Sequence, residues 1–469
     1  MGRILGAYLS PHPPIIVEEI GRGEELKAEK TLMGMRKLAK DIKKKKPTTI
    51  VLVTPHGPLF SDAISISVEE DLEGSFENFG YSDLKFQFKN NTSIVKGIIE
   101  ESGWEGIMLA AIDKKFARNY GVSEKVDHGA LVPLYFVNKE YTDYKLVHIT
   151  YGLLSPLELY KFGMIVQKVV EKSDEDVVFI ASGDLSHRLL EKAPYGYSKD
   201  GRIFDEEIVE LLENNDYESI ASFDLKLGEC AGECGLRSLI VLSGFLDGFH
   251  VDTEVYSYEG PFGVGYCTAG INVLGHSEDR KLYEKLKKKA GKHIEKIRNS
   301  EDEFVRLARK SLEYYIINGK QMNVPDDLSN ELIGKKAGVF VSLKKDERLR
   351  GCIGTTEPTQ NSIAEEIIKN AISAGTGDPR FSPVEEDELD KIVYSVDVLE
   401  KPEKIDSMAQ LDVKEYGVIV SKGYRRGLLL PNLEGVDTPK EQVRIALQKA
   451  GIDEDENFRM ERFRVARHY

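Results

Sequence analysis

Short β-branched runs alternate with longer segments of helical spacing along about the first 275 residues. The runs have the length and composition of buried strands, and the longer segments repeat apolar residues at helical intervals. Examples of the runs are ILGAYLS, TIVLVT, GIMLAAI, YKLVHITYG and DVVFIASGD. Strands that are joined by helices usually form a parallel sheet covered by those helices. The pattern therefore predicts an α/β fold with a mostly parallel sheet covered by helices.

The pattern changes after residue 275, where a highly charged stretch with sparse apolar positions begins. We interpret 276–298 as a charged helical linker. Beyond it, the strand-like stretches AGVFVSL, KIVYSVDVL, GVIVS and RGLLLP mix with two helix-like ones. The sequence thus predicts a first domain over 1–275, the linker, and a smaller α+β domain over 299–469.

Composition and charge narrow the function classes. With 469 residues, 41% of them hydrophobic, the chain can bury at least one large core, and its length suggests two or three domains. Four scattered cysteines and a start without a charged-then-apolar leader predict a reduced, cytoplasmic protein. We expect no membrane insertion, because no apolar run approaches the roughly 18 residues that span a bilayer. The net charge of −15 opposes nucleic-acid binding.

Two histidines follow predicted strands and are flanked by proline. His12 lies in SPHPP and His56 lies in TPHGP. Proline restricts the backbone around it, so the direction of each imidazole is largely set by the chain. In an open parallel sheet, the residues beyond the carboxyl ends of the strands line the crevice where ligands bind. The two histidines are therefore candidate metal ligands.

Two further histidines lie in comparable loops. His187 follows the strand-like run DVVFIASGD, and His128 lies beside Asp127 in VDHGALVPLYF. A single loop histidine is more often a hydrogen-bonded structural residue than a ligand, and a Pro-His turn can simply end a strand. Recurrence of the pattern at successive strand ends nevertheless favours a metal site.

A first-row divalent ion held by two imidazoles needs a third ligand, and a carboxylate would keep positions open for substrate and oxygen. The candidate is Glu233 in GECAGECGLRSLIV, at the start of a helix-like segment. Glu229 and Cys234 are rivals, and a thiolate at Cys234 would favour softer metal chemistry. Glu233 also fits the simpler role of an acidic residue at a helix amino terminus.

The first domain resembles the class III extradiol ring-cleaving dioxygenases of the LigB type and their relatives, the Memo proteins. The motifs SPHPPIIVEEIG, VTPHGP, DHGALVPL, ASGDLSH and GPFGVGYCTAG carry this resemblance. It implies an Fe(II) site formed by His12, His56 and Glu233. It also implies that His187 is the acid–base residue and that His128 lies near substrate and oxygen. In Memo proteins a cysteine takes the place of the carboxylate.

Extradiol chemistry, as implied by the resemblance, needs a small catechol-like aromatic substrate and O₂. His187 would remove a phenolic proton and return it during ring opening, a role that suits the ordinary histidine pKa near 6.5. Tyr195 and Tyr197 are candidates to line the pocket, although loop tyrosines more often cover the edge of a core.

The second domain resembles the AMMECR family. LRGCIGT, GDPRFSPVEEDELDKIVYSVDVLEKPE and YGVIVSKGYRRGLLLP carry this resemblance. A fusion of the two domains resembles a component of the AmmeMemoRadiSam system, which implies partnership with Memo-like and radical SAM proteins. Because the chain has no Cys-x-x-x-Cys-x-x-Cys motif, radical chemistry would come from a partner.

A candidate site in the second domain consists of Cys352, Arg350, Asp378 and Arg380. Cys352 follows Gly351 in LRGCIGT, where a ligand can approach the backbone closely. The arginines could lower the pKa of the thiol or bind a carboxylate or phosphate. The sequence favours a simpler interpretation, in which Cys352 is a small buried residue in a turn or bulge and Asp378 and Arg380 form a structural ion pair.

Three functions are compatible with these motifs. The leading hypothesis is a non-haem Fe(II) enzyme of extradiol dioxygenase type, fused to an AMMECR domain and acting in a multi-component pathway. The second is a Memo-like metal-binding partner protein without ring-cleavage activity. The third is a zinc-dependent hydrolase, because two histidines and a carboxylate also bind Zn²⁺ together with an activated water.

Overall fold

The computed structural model describes residues 2–192, 195–345, 348–433 and 435–469. The chain divides into two compact units, 1–288 and 289–469. The division falls within the segment 276–298 that we interpret as a linker. There the helix Tyr283–Ser300 has one buried residue among those described, Leu286.

The strands of the first unit are β1 (Arg3–Ser10), β2 (Thr49–Thr54), β3 (Ile64–Ser67), β4 (Asp71–Phe76), β5 (Tyr81–Lys89), β6 (Leu109–Ile112), β7 (Lys145–Thr150), β8 (Asp176–Ser182), β9 (Phe249–Glu259) and β10 (Tyr266–His276). Eight of them form one sheet in the order β6-β3-β7-β2-β8-β1-β10-β9, and β4 pairs with β5 separately. In the centre of the sheet, β7, β2, β8 and β1 are mutually parallel. The antiparallel pairs are β3 with β7, β1 with β10 and β10 with β9. The predicted mostly parallel sheet is confirmed.

The helices of this part of the chain are α1 (Glu18–Gly21), α2 (Glu29–Lys45), α3 (Thr92–Trp104), α4 (Lys114–Tyr120), α5 (His128–Asn138), α6 (Pro156–Lys172), α7 (Lys199–Glu213), α8 (Tyr217–Ala221), α9 (Leu225–Ala231), α10 (Leu236–Phe245) and α11 (Tyr283–Ser300). Helices α2 and α5 pack on one face of the sheet, and α3, α6 and α10 pack on the other. Within the described residues, no helix of the chain combines the length and apolarity that a membrane crossing needs.

Residues of the central strands alternate between the two faces. In β2, Val51 and Val53 belong to the core under α3, α6 and α10, whereas Ile50 and Leu52 belong to the core under α2 and α5. All four are fully buried. Because neither face of the sheet meets solvent here, the central strands are continuous apolar runs rather than alternating ones.

The second unit is an α+β domain, as the sequence predicts. Its strands are β11 (Val339–Lys345), β12 (Arg348–Gly354), β13 (Ile392–Leu399), β14 (Glu403–Ile405), β15 (Gly417–Lys422), β16 (Arg425–Leu429), β17 (Arg459–Phe463) and β18 (Val465–His468). They form two antiparallel sheets, β12-β11-β13-β18 and β14-β17-β15-β16. Its helices are α12 (Glu303–Asn318), α13 (Asn330–Gly334), α14 (Ile363–Thr376) and α15 (Pro439–Ala450). Helices α12 and α14 pack on the first sheet, and α15 packs on the second.

Candidate metal centre

Four histidines gather at one edge of the large sheet. Strands β2, β8 and β1 are parallel neighbours, so their carboxyl ends lie side by side. His56 follows β2, His187 follows β8 and His12 follows β1. His128 is the first residue of α5. The sheet order therefore brings together histidines that are distant in the sequence.

Three of the four histidines lie close to one another: His12, His56 and His128. One ring nitrogen of each lies within 4.8 Å of the other two. Nε2 of His12 and Nε2 of His56 are 2.9 Å apart, and the ring of His128 stacks on that of His56 with centroids 4.3 Å apart. His12 is buried whereas His56 is exposed, so the cluster opens to solvent on one side. Imidazoles at this spacing can hold a transition-metal ion.

Hydrogen bonds fix the tautomer of His12. Its Nδ1 lies 2.9 Å from Oγ of Ser182, and that hydroxyl donates its proton to the carbonyl oxygen of Gly129. Since the hydroxyl has only one proton, it must accept from His12, and Nδ1 of His12 carries a proton. The lone pair on Nε2 of His12 therefore faces His56. A metal-ligating imidazole needs this arrangement, in which the second ring nitrogen donates to a partner.

The surroundings keep the imidazoles neutral. Burial, together with the nearby histidines, lowers the pKa of His12 well below its usual range. Loss of solvent around the ring and the neighbouring His128 lower the pKa of His56 to about 4. Burial and the proximity of His56 likewise lower the pKa of His187 to about 4. Neutral imidazole is the form that binds a metal ion.

Cys234 lies between two of the histidines. Its Sγ is 3.6 Å from Nε2 of His12 and 3.6 Å from Nε2 of His187. The backbone N–H of Asp184 donates to Sγ at 3.3 Å, and the backbone N–H of Cys234 donates to the Asp184 carbonyl at 3.3 Å. Burial raises the pKa of the Cys234 thiol well above its usual range. A metal ion that binds to this sulfur must therefore displace its proton.

Glu233, the sequence-based choice for the third ligand, points elsewhere. Its Oε2 accepts the backbone N–H of Leu236 at 2.6 Å, in the first turn of α10. The N–H groups of a first helical turn have no partner within the helix, so they bind the nearest carboxylate. Glu229 is exposed on α9. Glu233 stays a prediction from the sequence, but in the structure the side chain that contacts Nε2 of His12 is that of Cys234, whereas Glu233 caps α10.

Close backbone contact places Cys234 at the cluster. A Cβ atom on Gly183 would lie 2.1 Å from Cα of Gly235, so no larger residue fits at position 183 without a shift. The loop after β8 and the start of α10 thus touch through their backbones. This contact brings Cys234, the residue before Gly235, to the ends of the strands.

Asp184 and Ser182, two polar residues of the SGDLSH motif, form hydrogen bonds to His12, and their roles were not predicted from the sequence. Oδ1 of Asp184 accepts the backbone N–H of His12 at 2.8 Å. Burial raises the pKa of Asp184 to about 7. Ser182 fixes the tautomer of His12. Their position directly after a buried β-branched run is a signal that could have identified them.

Aromatic rings flank the cluster. The ring of Phe79, between β4 and β5, lies 5.2 Å from that of His128, and the ring of Tyr195 lies 5.2 Å from that of His187. Tyr197 is exposed and makes no ring contact with the described residues. Aromatic rings in these places can pack against a planar ligand.

The four predicted residues of the second-domain site form two separate groups. The backbone N–H of Cys352 donates to Oδ2 of Asp378 at 2.9 Å. The guanidinium of Arg380 binds the same carboxylate through Nε and Nη2 at 2.9 and 2.7 Å. Arg350 instead binds Glu388 through Nε and Nη2 at 3.0 and 2.8 Å. Asp378 and Arg380 thus form an ion pair that anchors the Cys352 backbone, and Arg350 is engaged elsewhere.

Comparison with known proteins identifies both halves of the chain. The family model of the catalytic LigB subunit of aromatic ring-opening dioxygenase matches residues 6–269. The AMMECR1 family model matches residues 305–468. The resemblances inferred from the motifs of the two domains are confirmed.

Relatives occur in bacteria and archaea. A protein of Clostridium acetobutylicum is 47% identical over 464 residues, which cover 99% of this chain and 98% of that protein. A protein of Thermotoga maritima is 51% identical over 170 residues, 36% of this chain and 98% of that protein. The crystal structure of an uncharacterized protein from Pyrococcus horikoshii is 36% identical, covers 35% of this chain and 88% of that one, and has a TM-score of 0.33. The first of these relatives spans both matched regions.

Proposed function

Because the chain belongs to the LigB family of aromatic ring-opening dioxygenase subunits and continues into an AMMECR1 domain, we propose that its first domain is a Memo-like metal centre held by His12, His56 and Cys234. The contact between Cys234 Sγ and His12 Nε2 at 3.6 Å carries this proposal. Two imidazoles and a thiolate favour softer ions such as copper(I) or zinc more than the predicted set with a carboxylate does.

The donor atoms fit such an ion. Nε2 of His12 is an acceptor, so the Nε2–H of neutral His56 can donate to it across 2.9 Å. His56 would hold an ion through Nε2 as its other neutral tautomer, with the ring proton on Nδ1. Cys234 approaches the same nitrogen of His12. When bound, the ion supplies Lewis-acid or one-electron redox chemistry at this edge of the sheet.

The neighbouring side chains handle protons and position a ligand. His187 is neutral at pH 7, because burial and His56 lower its pKa to about 4, so one of its ring nitrogens carries a lone pair that would accept a proton from a bound ligand. His128, stacked on His56, lies on the more open side of the cluster. Phe79 and Tyr195 would pack against an aromatic ring and exclude water from its faces.

Extradiol cleavage of a catechol-like substrate with O₂ is the second candidate function. Family membership and the aromatic rings beside the cluster favour it. It requires Fe(II), with His187 taking the phenolic proton of the substrate. We also propose that Memo-like and radical SAM proteins act as partners, since the AMMECR1 domain follows directly in the same chain.

The first experiment is metal analysis of the full-length protein purified without oxygen, followed by X-ray absorption and nitric oxide binding. We expect one ion per chain, with one sulfur neighbour that disappears in Cys234→Ser. Iron that binds nitric oxide and consumes O₂ with a catechol would move the assignment to ring cleavage. A protein that retains no ion after incubation with copper(I), zinc and Fe(II) would contradict both functions.

A further inference from the structure

A buried histidine and an aspartate lie directly behind the metal centre. His148 is on β7, on the sheet face that α5 covers, and it is 2% exposed. Its Nε2 lies 2.9 Å from Oδ2 of Asp127, and its Nδ1 lies 2.9 Å from Oγ of Ser67. A buried imidazole is costly unless both nitrogens have partners, and here both have one.

Asp127 connects this histidine to the loop after β2. The other carboxylate oxygen of Asp127, Oδ1, accepts the hydroxyl proton of Thr54 at 2.7 Å. Oγ1 of Thr54 in turn accepts the backbone N–H of His56 at 3.3 Å. One arm of the network therefore runs from Asp127 through Thr54 to the backbone of His56.

A second arm leads to His12. Oδ1 of Asp127 also accepts the backbone N–H of Gly129 at 2.8 Å and so caps α5. The carbonyl of Gly129 accepts the hydroxyl of Ser182, which holds Nδ1 of His12. A Cβ at Gly129 would lie 2.4 Å from Oγ1 of Thr54, so the two arms cross where only glycine fits. Asp127 also directly precedes His128 in the chain.

We infer that His148 and Asp127 are positioning residues, which orient His12, His56 and His128 from behind through the Thr54 and Gly129–Ser182 arms. The inference rests on the proposed metal centre. Both carboxylate oxygens of Asp127 are used within this network, so its role is to set the position of the ligands rather than to bind the ion. Partners of this kind fix the tautomer and orientation of ligating imidazoles.

The test compares three substitutions in the full-length protein. His148→Leu removes the donor to Asp127, and His148→Gln keeps an N–H at the position of Nε2. Tyr160→Phe is the matched control, because it removes a buried hydrogen bond to Asp247, 2.6 Å long, in the same unit but outside the network. Ring-¹⁵N histidine NMR without metal reports the tautomer of His12, whose signals are assigned from His12→Ala. Competition with a chelator reports zinc affinity.

We expect wild-type His12 to carry its proton on Nδ1, and His148→Leu to mix the tautomers and weaken zinc binding by roughly 10- to 100-fold. His148→Gln should restore zinc affinity to within about threefold, and Tyr160→Phe should leave both readouts unchanged. Equal weakening by His148→Leu and Tyr160→Phe would overturn the inference, because general destabilisation would then be the cause. An unchanged tautomer in folded His148→Leu would also overturn it.

A second variant covers the case in which His148→Leu does not fold. Ser182→Ala cuts the arm to His12 nearest the centre, and it should change the tautomer of His12 while leaving the backbone hydrogen bonds of α5 intact. An unchanged tautomer in Ser182→Ala overturns the inference. The NMR readout needs no metal. A wild-type protein that binds no ion but shows the expected tautomer therefore refutes the proposed function and leaves the network standing.

Discussion

Cys234 in the first domain and Cys352 in the second both adjoin a glycine, but their neighbours differ. Cys234 Sγ contacts ring nitrogens of His12 and His187, both of which are neutral at pH 7. Cys352 Sγ accepts the hydroxyl proton of Ser342 at 3.2 Å, and its backbone N–H is held by Asp378. Potential metal-binding atoms converge around the first cysteine. Around the second, polar groups satisfy one another.

The difference shows how a binding site can be told from a structural motif. Uncharged ligand atoms that approach one another closely, as Sγ of Cys234 and the Nε2 atoms of His12 and His56 do, form an arrangement that can hold an ion. A carboxylate that already binds a guanidinium and a backbone N–H, as Asp378 does, has its hydrogen-bonding capacity used within the protein. Both cysteines have a glycine neighbour in the sequence, so this feature does not distinguish a metal-binding cysteine from a structural one.

The largest expected effect comes from removing a histidine of the proposed metal centre. His12→Ala and His56→Ala should each weaken metal binding by at least ~100-fold, since losing a ligand exceeds the effect of losing a residue that only orients one. Cys352→Ala should bind metal as the wild type does. Metal content after dialysis against a chelator measures the difference.

His187→Ala is the internal control for this prediction. It should retain the ion within about threefold, because His187 is assigned to proton transfer and not to the ligand set. Loss of the ion to the same extent in His12→Ala, His56→Ala and His187→Ala would contradict the assigned roles.

The next effect separates the two adjacent candidates for the third ligand. Cys234→Ser should weaken zinc or copper(I) binding by roughly 10- to 100-fold, because a hydroxyl is a poor ligand for soft ions. Glu233→Gln should keep the ion and lower the free energy of unfolding by about 1 kcal/mol, the usual cost of a lost helix cap. Titration with each metal and thermal unfolding test this pair. Retention of the ion by Cys234→Ser and its loss in Glu233→Gln would restore the carboxylate as the ligand.

A smaller effect concerns the ion pair between Arg350 and Glu388 in the second domain. Its contribution to the stability of the fold depends on pH. Burial raises the pKa of Glu388, but hydrogen bonds from Arg350 and Lys345 outweigh burial and hold the pKa at about 2, below the 4.5 of an exposed glutamate. The carboxylate therefore stabilises the fold above pH 4.5, and this stabilisation is lost as the pH falls towards 2. Glu388→Gln should cost roughly 2 kcal/mol at pH 7.

Unfolding at several pH values checks the sign of this effect. The difference in stability between the wild type and Glu388→Gln should shrink steadily from pH 5 to pH 2.5. A difference that stays constant with pH would show that Glu388 contributes through packing and not through its charge.

The smallest expected effect concerns the thiol of Cys352, whose role and reactivity can be compared with those of the Cys234 thiol. Cys352→Ala should change the free energy of unfolding by less than about 1 kcal/mol, because it removes one weak hydrogen bond to sulfur. Bound metal should protect Cys234 from alkylation in the folded protein and leave the labelling rate of Cys352 unchanged. Metal-dependent protection of Cys352, read by mass spectrometry, would indicate a site in the second domain.

Much of the fold follows from local patterns. The β-branched runs became central strands, because buried parallel strands select apolar residues on both faces. Proline beside His12 and His56 marked the ends of β1 and β2 correctly. Which of the adjacent side chains of Glu233 and Cys234 faces the histidines was beyond prediction, because only the start of α10 decides it. His148 was also missed, since a histidine inside a β-branched run gives no local sign of its partner.

By itself, the sequence determined the two domains, the mostly parallel sheet and the four histidines in connections between its elements. These features depend on apolar periodicity and backbone restrictions, which act over a few residues. Only the tertiary structure decided that β2, β8 and β1 are neighbours, that Cys234 meets His12, and that Asp127 ties His148 to the centre. The contact between Cys234 and His12 joins residues more than a hundred positions apart. Contacts of this kind, and the side-chain directions that they need, depend on how the whole sheet packs.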